Sequence, residues 1–330
     1  MPYEIDVKNL HAVERLLAGT WSNEGAMKEE GGTQRPYSYN VMPLPQHAAE
    51  PLYQGGKNHR GYILKNFRYT ESISFHSGKN QPEGSDTVAV PGAAPNRGEK
   101  ARQVPEALFY DQVVRFAEGP DVGQVVHLEN GAWLYVSYKK IVNGPYPINK
   151  DVPAPPPGDT PNYDYAKQIS VPHGNSILAL GKYTGLHDGP PVIPQGSGLP
   201  TEIDVTRFRT TLDKYTKPAT DDRKKNDYEN PHLPETEDPL IPLREAIEDM
   251  GLKSYHHVKF STRYESEGLT GSVTNIPFET KMASASDYEA QYWLLSKGDG
   301  HYDYLAYFQN ITLKLKIDVV LLRKSVLGFY

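Results

Sequence analysis

The sequence has no cysteine among its 330 residues, which excludes disulfide bonds, thiolate nucleophiles and sulfur ligands for metals. It also has no apolar run long enough to cross a bilayer, so we expect no membrane span. The first ten residues, MPYEIDVKNL, are too charged for a signal peptide. These absences favour a cytoplasmic protein.

Runs of positive charge are scarce as well. The formal net charge is −6, and the basic cluster Arg223-Lys224-Lys225 lies beside acidic residues, so nucleic acid is not an expected partner. The motifs of serine hydrolases, phosphate-binding loops and zinc peptidases are missing. The eleven histidines lack the spacing of a metal triad, and we therefore predict no metal site. The side chains left for chemistry are His, Tyr, Asp, Glu and Arg.

The pattern that is present indicates a mainly β protein. Apolar and polar residues alternate with a period of two, as in RGYILKNFRYTESISF from Arg60 to Phe75. Tyrosine, at 23 residues, and glycine and proline, at 28 each, suit strands joined by many turns. Counting such runs predicts nine to ten strands in one domain over residues 1–330, with loop insertions at 77–105, 143–163 and 186–250.

Two short helices are predicted in addition. The first begins at an N-cap, Asp6, and ends at Gly19, and its apolar stripe needs a sheet to cover. The second runs from Pro242 to Met250 and ends at Gly251, with proline in the first turn and glycine after the last. The first helix would cap one end of the sheet, and the second would belong to a long lid loop.

The stretch ISVPHGNSILALG, residues 169–181, predicts a strand, a break and a second strand. Pro172 and Gly174 interrupt the ladder, which places His173 at a strand kink. Kinks and bulges often lie beside binding sites, so His173 is a candidate general acid or base. The alternative is that its imidazole only satisfies the turn.

A second candidate pair lies on the strand that contains QVVHLENGAWLYV. His127 and Glu129 are two residues apart and so share one face, where they could relay a proton. The alternative is a pair that faces solvent on an antiparallel sheet. Tyr110 and Tyr135 are candidate hydrogen-bond donors into the interior, Tyr110 as a further catalytic group.

Seven short segments, spread over most of the chain, form an ordered pattern: LAGTW (17–21), PNRG (95–98), LFYDQVV (108–114), VHLENGAWLYV (126–136), SVPHGNSILALG (170–181), NIPFE (275–279) and YWLL (292–295). Together they resemble the heme-binding-like β-barrel proteins related to nitrobindins and fatty-acid-binding proteins. The resemblance implies a single closed antiparallel β-barrel of the calycin type, with a hydrophobic or aromatic small molecule in its lumen. The candidate ligand contacts are Trp21, Trp133, Tyr135, Asn175, Phe278, Trp293 and Tyr307.

The chain departs from that family at its last strand. The family's iron-binding histidine is expected there, but residues 313–324 read LKLKIDVVLLRK. Heme would need His173 or His127 instead. We therefore favour a cofactor-free enzyme of the cyclase, isomerase, dehydratase or pericyclase type. The alternative is a heme-binding protein that acts as a carrier, a sensor or a peroxidase-like protein. An interaction module is disfavoured, and a homodimer is left open.

Overall fold

The computed structural model describes residues 13, 16–45, 62–77, 107–119, 121–135, 165–171, 174–196, 235, 238–266, 269–276, 283–317 and 320–328. This part of the chain is mainly antiparallel β-sheet, as the sequence predicts. Its one complete helix is α1, Ile241–Met250. Its strands are β1 Gly19–Ser22, β2 Met27–Glu30, β3 Thr33–Pro36, β4 Tyr39–Pro45, β5 Tyr62–Ser77, β6 Ala107–Phe116, β7 Val125–Tyr135, β8 Tyr165–Val171, β9 Asn175–Asp188, β10 Ser254–Ser261, β11 Glu265–Ser266, β12 Leu269–Thr270, β13 Ser272–Asn275, β14 Ala283–Ser296, β15 Tyr304–Ile317 and β16 Val320–Gly328.

Twelve strands form the main sheet, in the order β1-β5-β4-β16-β15-β14-β10-β9-β8-β7-β6, with β13 beside β9. Strand β5 also pairs with β6, so the neighbours can be followed from β4 around to β6, β5 and back to β4. The step from β16 to β4 rests on one residue pair, Gly328 with Asn40. The structure therefore shows an antiparallel sheet with one complete helix among the described residues, not a continuously closed barrel wall.

The predicted number of strands, nine to ten, is too low. The described residues contain sixteen, and the additional ones are short: β1, β2, β3 and β13 have four residues each, and β11 and β12 have two. Strands of this length show too few alternations for a period of two to be recognised. Two of the short pairs, β2–β3 and β11–β12, form separate two-stranded sheets.

Most of the core lies on one face of the main sheet, where alternate residues of each strand point inward, but on β14 residues of both faces are buried, as Tyr292 and Trp293 are. Trp133 is at its centre, and its ring meets Phe75, Phe260 and Tyr292 edge to face, at centroid distances of 5.9, 4.8 and 4.7 Å. Such T-shaped pairs are a favoured aromatic geometry. The buried polar side chains described below pack against this aromatic core.

Helix α1 confirms the predicted second helix. Pro242 lies in its first turn, and Gly251 ends it in the left-handed conformation at φ 62°, which glycine adopts without strain. Ala246 and Ile247 are buried against the sheet. The helix lies inside the predicted insertion 186–250, so that insertion is partly regular structure.

The predicted first helix lies only partly in the described residues. Residues 13, 16 and 17 are helical, and Val13 and Leu17 are buried. Asp6 lies outside the described residues, as do the insertion 143–163 and nearly all of 77–105. Among the residues that are described, the helices have neither the length nor the hydrophobicity needed to cross a membrane.

The chain runs in opposite directions in the strands on the two sides of the predicted break, so the prediction of a kink was wrong. Strands β8 and β9 pair antiparallel from Tyr165 opposite Gly181 to Val171 opposite Asn175. The amide of Gly174 donates to the carbonyl oxygen of Val171 at 2.9 Å, and Gly174 has φ 105°. Apolar runs on both sides of a break fit a kink and a hairpin equally, and only the pairing distinguishes them. His173 itself lies outside the described residues.

Candidate functional site

A buried lysine on the main sheet donates hydrogen bonds to four other polar side chains. Lys167, on β8, is 1% exposed, and its ammonium donates to the hydroxyls of Tyr292 and Tyr288 at 2.5 and 2.9 Å. It also donates to Glu129 Oε1 at 3.4 Å and to Gln309 Oε1 at 3.3 Å. Buried charges are tolerated in proteins when they are paired and hydrogen-bonded, as this one is. We call these five residues the lysine cluster.

Glu129 is the anion of the lysine cluster. It accepts a hydrogen bond from the Tyr110 hydroxyl at 2.6 Å, and His127 Nε2 lies 3.5 Å from its Oε2. Burial raises the pKa of the Glu129 carboxyl, but the charge of Lys167 and the contacts with His127 and Tyr110 outweigh it and lower the pKa to about 2. Glu129 is therefore ionised at neutral pH.

The buried surroundings lower the pKa of Lys167. Burial lowers the pKa of its ammonium to about 8, although the neighbouring Glu129 carboxylate raises it in part. The ammonium also lies 4.9 to 5.4 Å from the ring centroids of Tyr110, Tyr292 and Tyr288, within the range of cation–π attraction. At neutral pH the lysine cluster thus contains a charged pair that neutral groups surround.

A second buried carboxyl, Glu71 on β5, has only neutral hydrogen-bond partners. Gln112 Nε2 donates to its Oε2 at 2.9 Å, and the Tyr307 hydroxyl donates to the same oxygen. Burial raises the pKa of Glu71 to about 7; these two hydrogen bonds lower it in part, and the charge of Glu129 raises it. Among the described residues, no group donates a hydrogen bond to Glu71 Oε1.

Glu71 lines a cleft of about 150 Å³ between α1 and the main sheet. The helix contributes apolar side chains, and the facing strands contribute aromatic and polar ones. The cleft combines an apolar wall with a few polar groups, as small-molecule sites do. Its lining consists of Trp21, Ser22, Asn23, Ala26, Tyr37, Ser38, Tyr69, Glu71, Ile73, Leu243, Ala246, Ile247, Met250, Leu252, Leu295, Asp303, Tyr304, Leu305, Ala306 and Tyr307.

Two polar contacts tie α1 to the edge of this cleft. Lys28 Nζ, on β2, lies 2.7 Å from Glu245 Oε2, and the Tyr37 hydroxyl donates to Asp249 Oδ2 at 2.6 Å. Burial and this hydrogen bond raise the pKa of Tyr37 to about 12. The helix therefore rests on the cleft through partly exposed contacts as well as through its apolar face.

The structure brings together three of the four predicted catalytic residues. Tyr110 and His127 both contact Glu129, and all three are buried, which contradicts the alternative of a solvent-facing pair. They are not among the residues that line the cleft. His173 lies outside the described residues, and the catalytic roles of all four residues stay predictions.

The predicted ligand contacts are dispersed. Trp21 and Tyr307 line the cleft, and the Trp21 indole also donates to the Leu17 carbonyl at 2.9 Å, which fits a ring held at one end of the sheet. Trp133 is buried in the aromatic core, away from the cleft lining. The Tyr135 side chain and Phe278 lie outside what the structure describes.

Two further predicted contacts have structural partners elsewhere. Trp293 stacks on the His257 ring at 5.1 Å and 8°, on the face of β14 opposite to Tyr292. Asn175 donates its amide to Asn275 Oδ1 at 2.7 Å, where β9 meets β13. Neither residue lines the cleft.

Sequence reasoning missed Glu71, Lys167, Gln112 and Gln309, although a signal for each is present. Glu71 is in phase with Phe67, Tyr69, Ile73 and Phe75, which are all buried. A charged residue in the apolar phase of a strand must be buried with its neighbours. The same pattern applies to the other three polar residues, each of which stands between two apolar or aromatic residues of the same strand phase. Lys167 lies between Tyr165 and Ile169, Gln112 between Tyr110 and Val114, and Gln309 between Tyr307 and Ile311.

Comparisons with known proteins assign no family. No family model matches the sequence, and no curated protein matches it. Among solved structures, the crystal structure of Rv2717c from M. tuberculosis aligns over 97% of this chain and 96% of that one, with 12% identity and a TM-score of 0.31. A TM-score this low does not establish a common fold. The function has to be argued from the site itself.

The residues of the cleft do not fit a heme held by histidine. No histidine is among the described lining residues, and His127 lies beside Glu129 in the lysine cluster, away from the cleft lining. The Tyr307 hydroxyl, another possible oxygen ligand, already donates to Glu71. We therefore derive no step through heme.

Proposed function

We propose that the protein is an enzyme that binds a small hydrophobic molecule in the cleft and moves a proton on it, with Glu71 as general base or acid. One observation carries this proposal: Glu71 lines an apolar cleft with one carboxylate oxygen, Oε1, that accepts no hydrogen bond from the described residues. An isomerase or lyase reaction is the class that such a group serves.

The pKa of Glu71 suits this role. A carboxyl whose pKa is about 7 is present in both protonation states at neutral pH, so it can accept a proton and return it. Tyr307 and Gln112 hold the other oxygen and orient the group. The apolar wall from α1 excludes water, which strengthens electrostatic interactions with a bound substrate.

We further propose that the main sheet encloses Glu71 and the lysine cluster as a barrel whose wall, among the described residues, is incomplete only at the single residue pair between β16 and β4. The cyclic order of pairings supports closure, since β5 joins β6 on one side and β4 on the other. In such a barrel the lysine cluster would fill the interior as a structural element, and α1 would cover the open end at the cleft.

A proton-abstraction probe tests the proposed function. The probe is 5-nitrobenzisoxazole: a base removes its ring C–H proton, the C–H electron pair completes a nitrile, and the N–O bond breaks to release a coloured phenolate. We expect turnover above that of acetate at equal concentration, rising with pH through a midpoint near 7 to a plateau above about pH 8. Glu71→Gln should reduce the rate by two orders of magnitude or more, because it removes the base.

The matched control is His76→Gln, which changes an exposed titratable side chain on the same strand. It should keep the wild-type rate. If Glu71→Gln remains folded by circular dichroism and turns over the probe at the wild-type rate, Glu71 is not the base and the proposal fails.

A further inference from the structure

The charges around the cleft have one sign. Glu71 and Asp303 are acidic, and the described lining contains no lysine, arginine or histidine. Of the cations nearby, Lys28 pairs with Glu245, the Arg68 guanidinium donates to the Pro36 carbonyl at 2.7 Å, and the Lys297 ammonium lies 5.2 Å from the ring centroid of Tyr304. The described lining residues themselves offer a bound anion no counter-ion.

Glu71 also lacks a compensating charge from the strands packed against it. The titratable groups that face it are Tyr307 on β15, Tyr69 on its own strand and Glu129 on β7, and none of these is a cation. Lys167 is already paired with Glu129. A buried carboxylate without a cation is costly, and a ligand that brings the missing positive charge recovers that cost.

Aromatic rings supply a second attraction for a cation. Trp21, Tyr69 and Tyr307 are among the lining residues, and a fourth lining ring, Tyr304, already has the Lys297 ammonium 5.2 Å from its centroid. The faces of such rings attract ammonium groups, more strongly when water is excluded. The apolar side chains of α1 suit the hydrocarbon part of the same ligand.

We propose that the ligand of the cleft is a hydrophobic organic amine, bound as its ammonium ion with Glu71 as the counter-ion. This inference rests on the proposed function, in which the cleft is the small-molecule site. It disfavours fatty acids, because a fatty-acid carboxylate would lie beside Glu71 with no cation to separate the two charges. The Oε1 atom of Glu71 is the acceptor available to the ammonium.

The binding of an amine depends on pH in a defined way. Below the pKa of Glu71, about 7, the carboxyl is protonated and must lose its proton before it can pair with the ammonium. The affinity should therefore fall about tenfold for each pH unit below 7 and be constant from pH 7.5 to 8.5. A neutral ligand should show no such change.

Three probes of matched shape test the inference by calorimetric titration: 3-phenylpropylamine, 3-phenylpropan-1-ol and 3-phenylpropanoate. At pH 8 we expect the amine to bind at least tenfold more tightly than the alcohol, and the acid to bind most weakly. At pH 5.5 the advantage of the amine should be lost. Glu71→Gln should remove it at pH 8 and leave the alcohol unaffected, whereas Glu248→Gln, an exposed change on α1, should alter nothing.

The outcomes separate this inference from the proposed function. If the amine and the alcohol bind equally in the wild type, or if the acid binds most tightly, the amine inference is overturned and the cleft remains a small-molecule site. If none of the probes binds at millimolar concentration, the amine inference is also overturned. The benzisoxazole assay then decides independently whether Glu71 is an accessible base.

Discussion

Glu71 and Glu129 are two buried carboxyl groups in the same sheet with opposite properties. Burial raises the pKa of both, yet that of Glu71 is raised to about 7 and that of Glu129 is lowered to about 2. The difference lies in their partners. Glu129 faces the Lys167 ammonium at 3.4 Å, whereas Glu71 has only the neutral donors Gln112 and Tyr307.

This comparison separates a structural pair from a reactive group. The Lys167 ammonium already balances the charge on Glu129, and none of the lysine cluster residues is among the described residues that line the cleft. The charge on Glu71 is not balanced, and Glu71 is the one of the two that borders the cleft. Perturbed pKa values at a cleft are a recognised mark of functional groups. The comparison therefore favours a structural role for the lysine cluster and supports the chemical role that we propose for the cleft.

The largest expected effect comes from breaking the charged pair. Lys167→Met should lower the free energy of unfolding by about 3–5 kcal/mol, because it leaves the Glu129 carboxylate buried without a cation. Urea denaturation at pH 7 measures this loss. The double variant with Glu129→Gln should recover most of it, since both charges are then gone. A loss below 1 kcal/mol in the single variant would show that the pair is not structural.

At Glu71 we expect a smaller change in the free energy of unfolding, and in the opposite direction, because removing this charge stabilises the protein. The folded-state pKa of Glu71 is above the ordinary value of 4.5, so its stabilising contribution is complete below pH 4.5 and lost as pH rises through 7. Glu71→Gln should match the wild type near pH 4.5 and be about 3 kcal/mol more stable at pH 8. Urea denaturation at the two pH values measures the difference. Stability curves of wild type and variant that run parallel with pH would contradict it.

The sequence was sufficient to predict a mainly β protein and several of its elements. Alternation along β5 and the Pro242 and Gly251 signals of α1 are local, and the structure confirms both. Pairing is not local: the turn beside Gly174 gave the same pattern for a kink and a hairpin. Closure and the number of short strands likewise depend on contacts between distant segments.

The site was predicted only in part, for a related reason. His127, Glu129 and Tyr110 do meet, since adjacent strands β6 and β7 carry them. Lys167 completes their cluster from β8, but no motif marks it. The cleft involves α1, which is more than 160 positions from Glu71 in the sequence, and spacing along the chain does not encode that contact. A charged residue in an apolar phase was the available signal.

Tyr307→Phe sharpens the comparison between the two carboxyl groups. Removing this donor should cost about 1 kcal/mol of stability and raise the pKa of Glu71 above 7, because the lost hydrogen bond favours the ionised form. The pH midpoint of benzisoxazole turnover reports the shift. Tyr110→Phe is the matched control, since its hydroxyl serves Glu129 and should leave that midpoint unchanged. Equal midpoint shifts in both variants would argue against separate environments.

The smallest effect is expected at the contact between α1 and the cleft edge. Tyr37→Phe removes the hydrogen bond to Asp249 and should cost about 0.5 kcal/mol, because the contact is partly exposed to solvent. Its effect should be local: amide hydrogen exchange should accelerate in α1 and remain unchanged in β8, which carries Lys167. Mass spectrometry of exchanged peptides resolves the two segments. Equal acceleration in β8 would mean that the cleft and the lysine cluster open together, and the two would not be separate structural units.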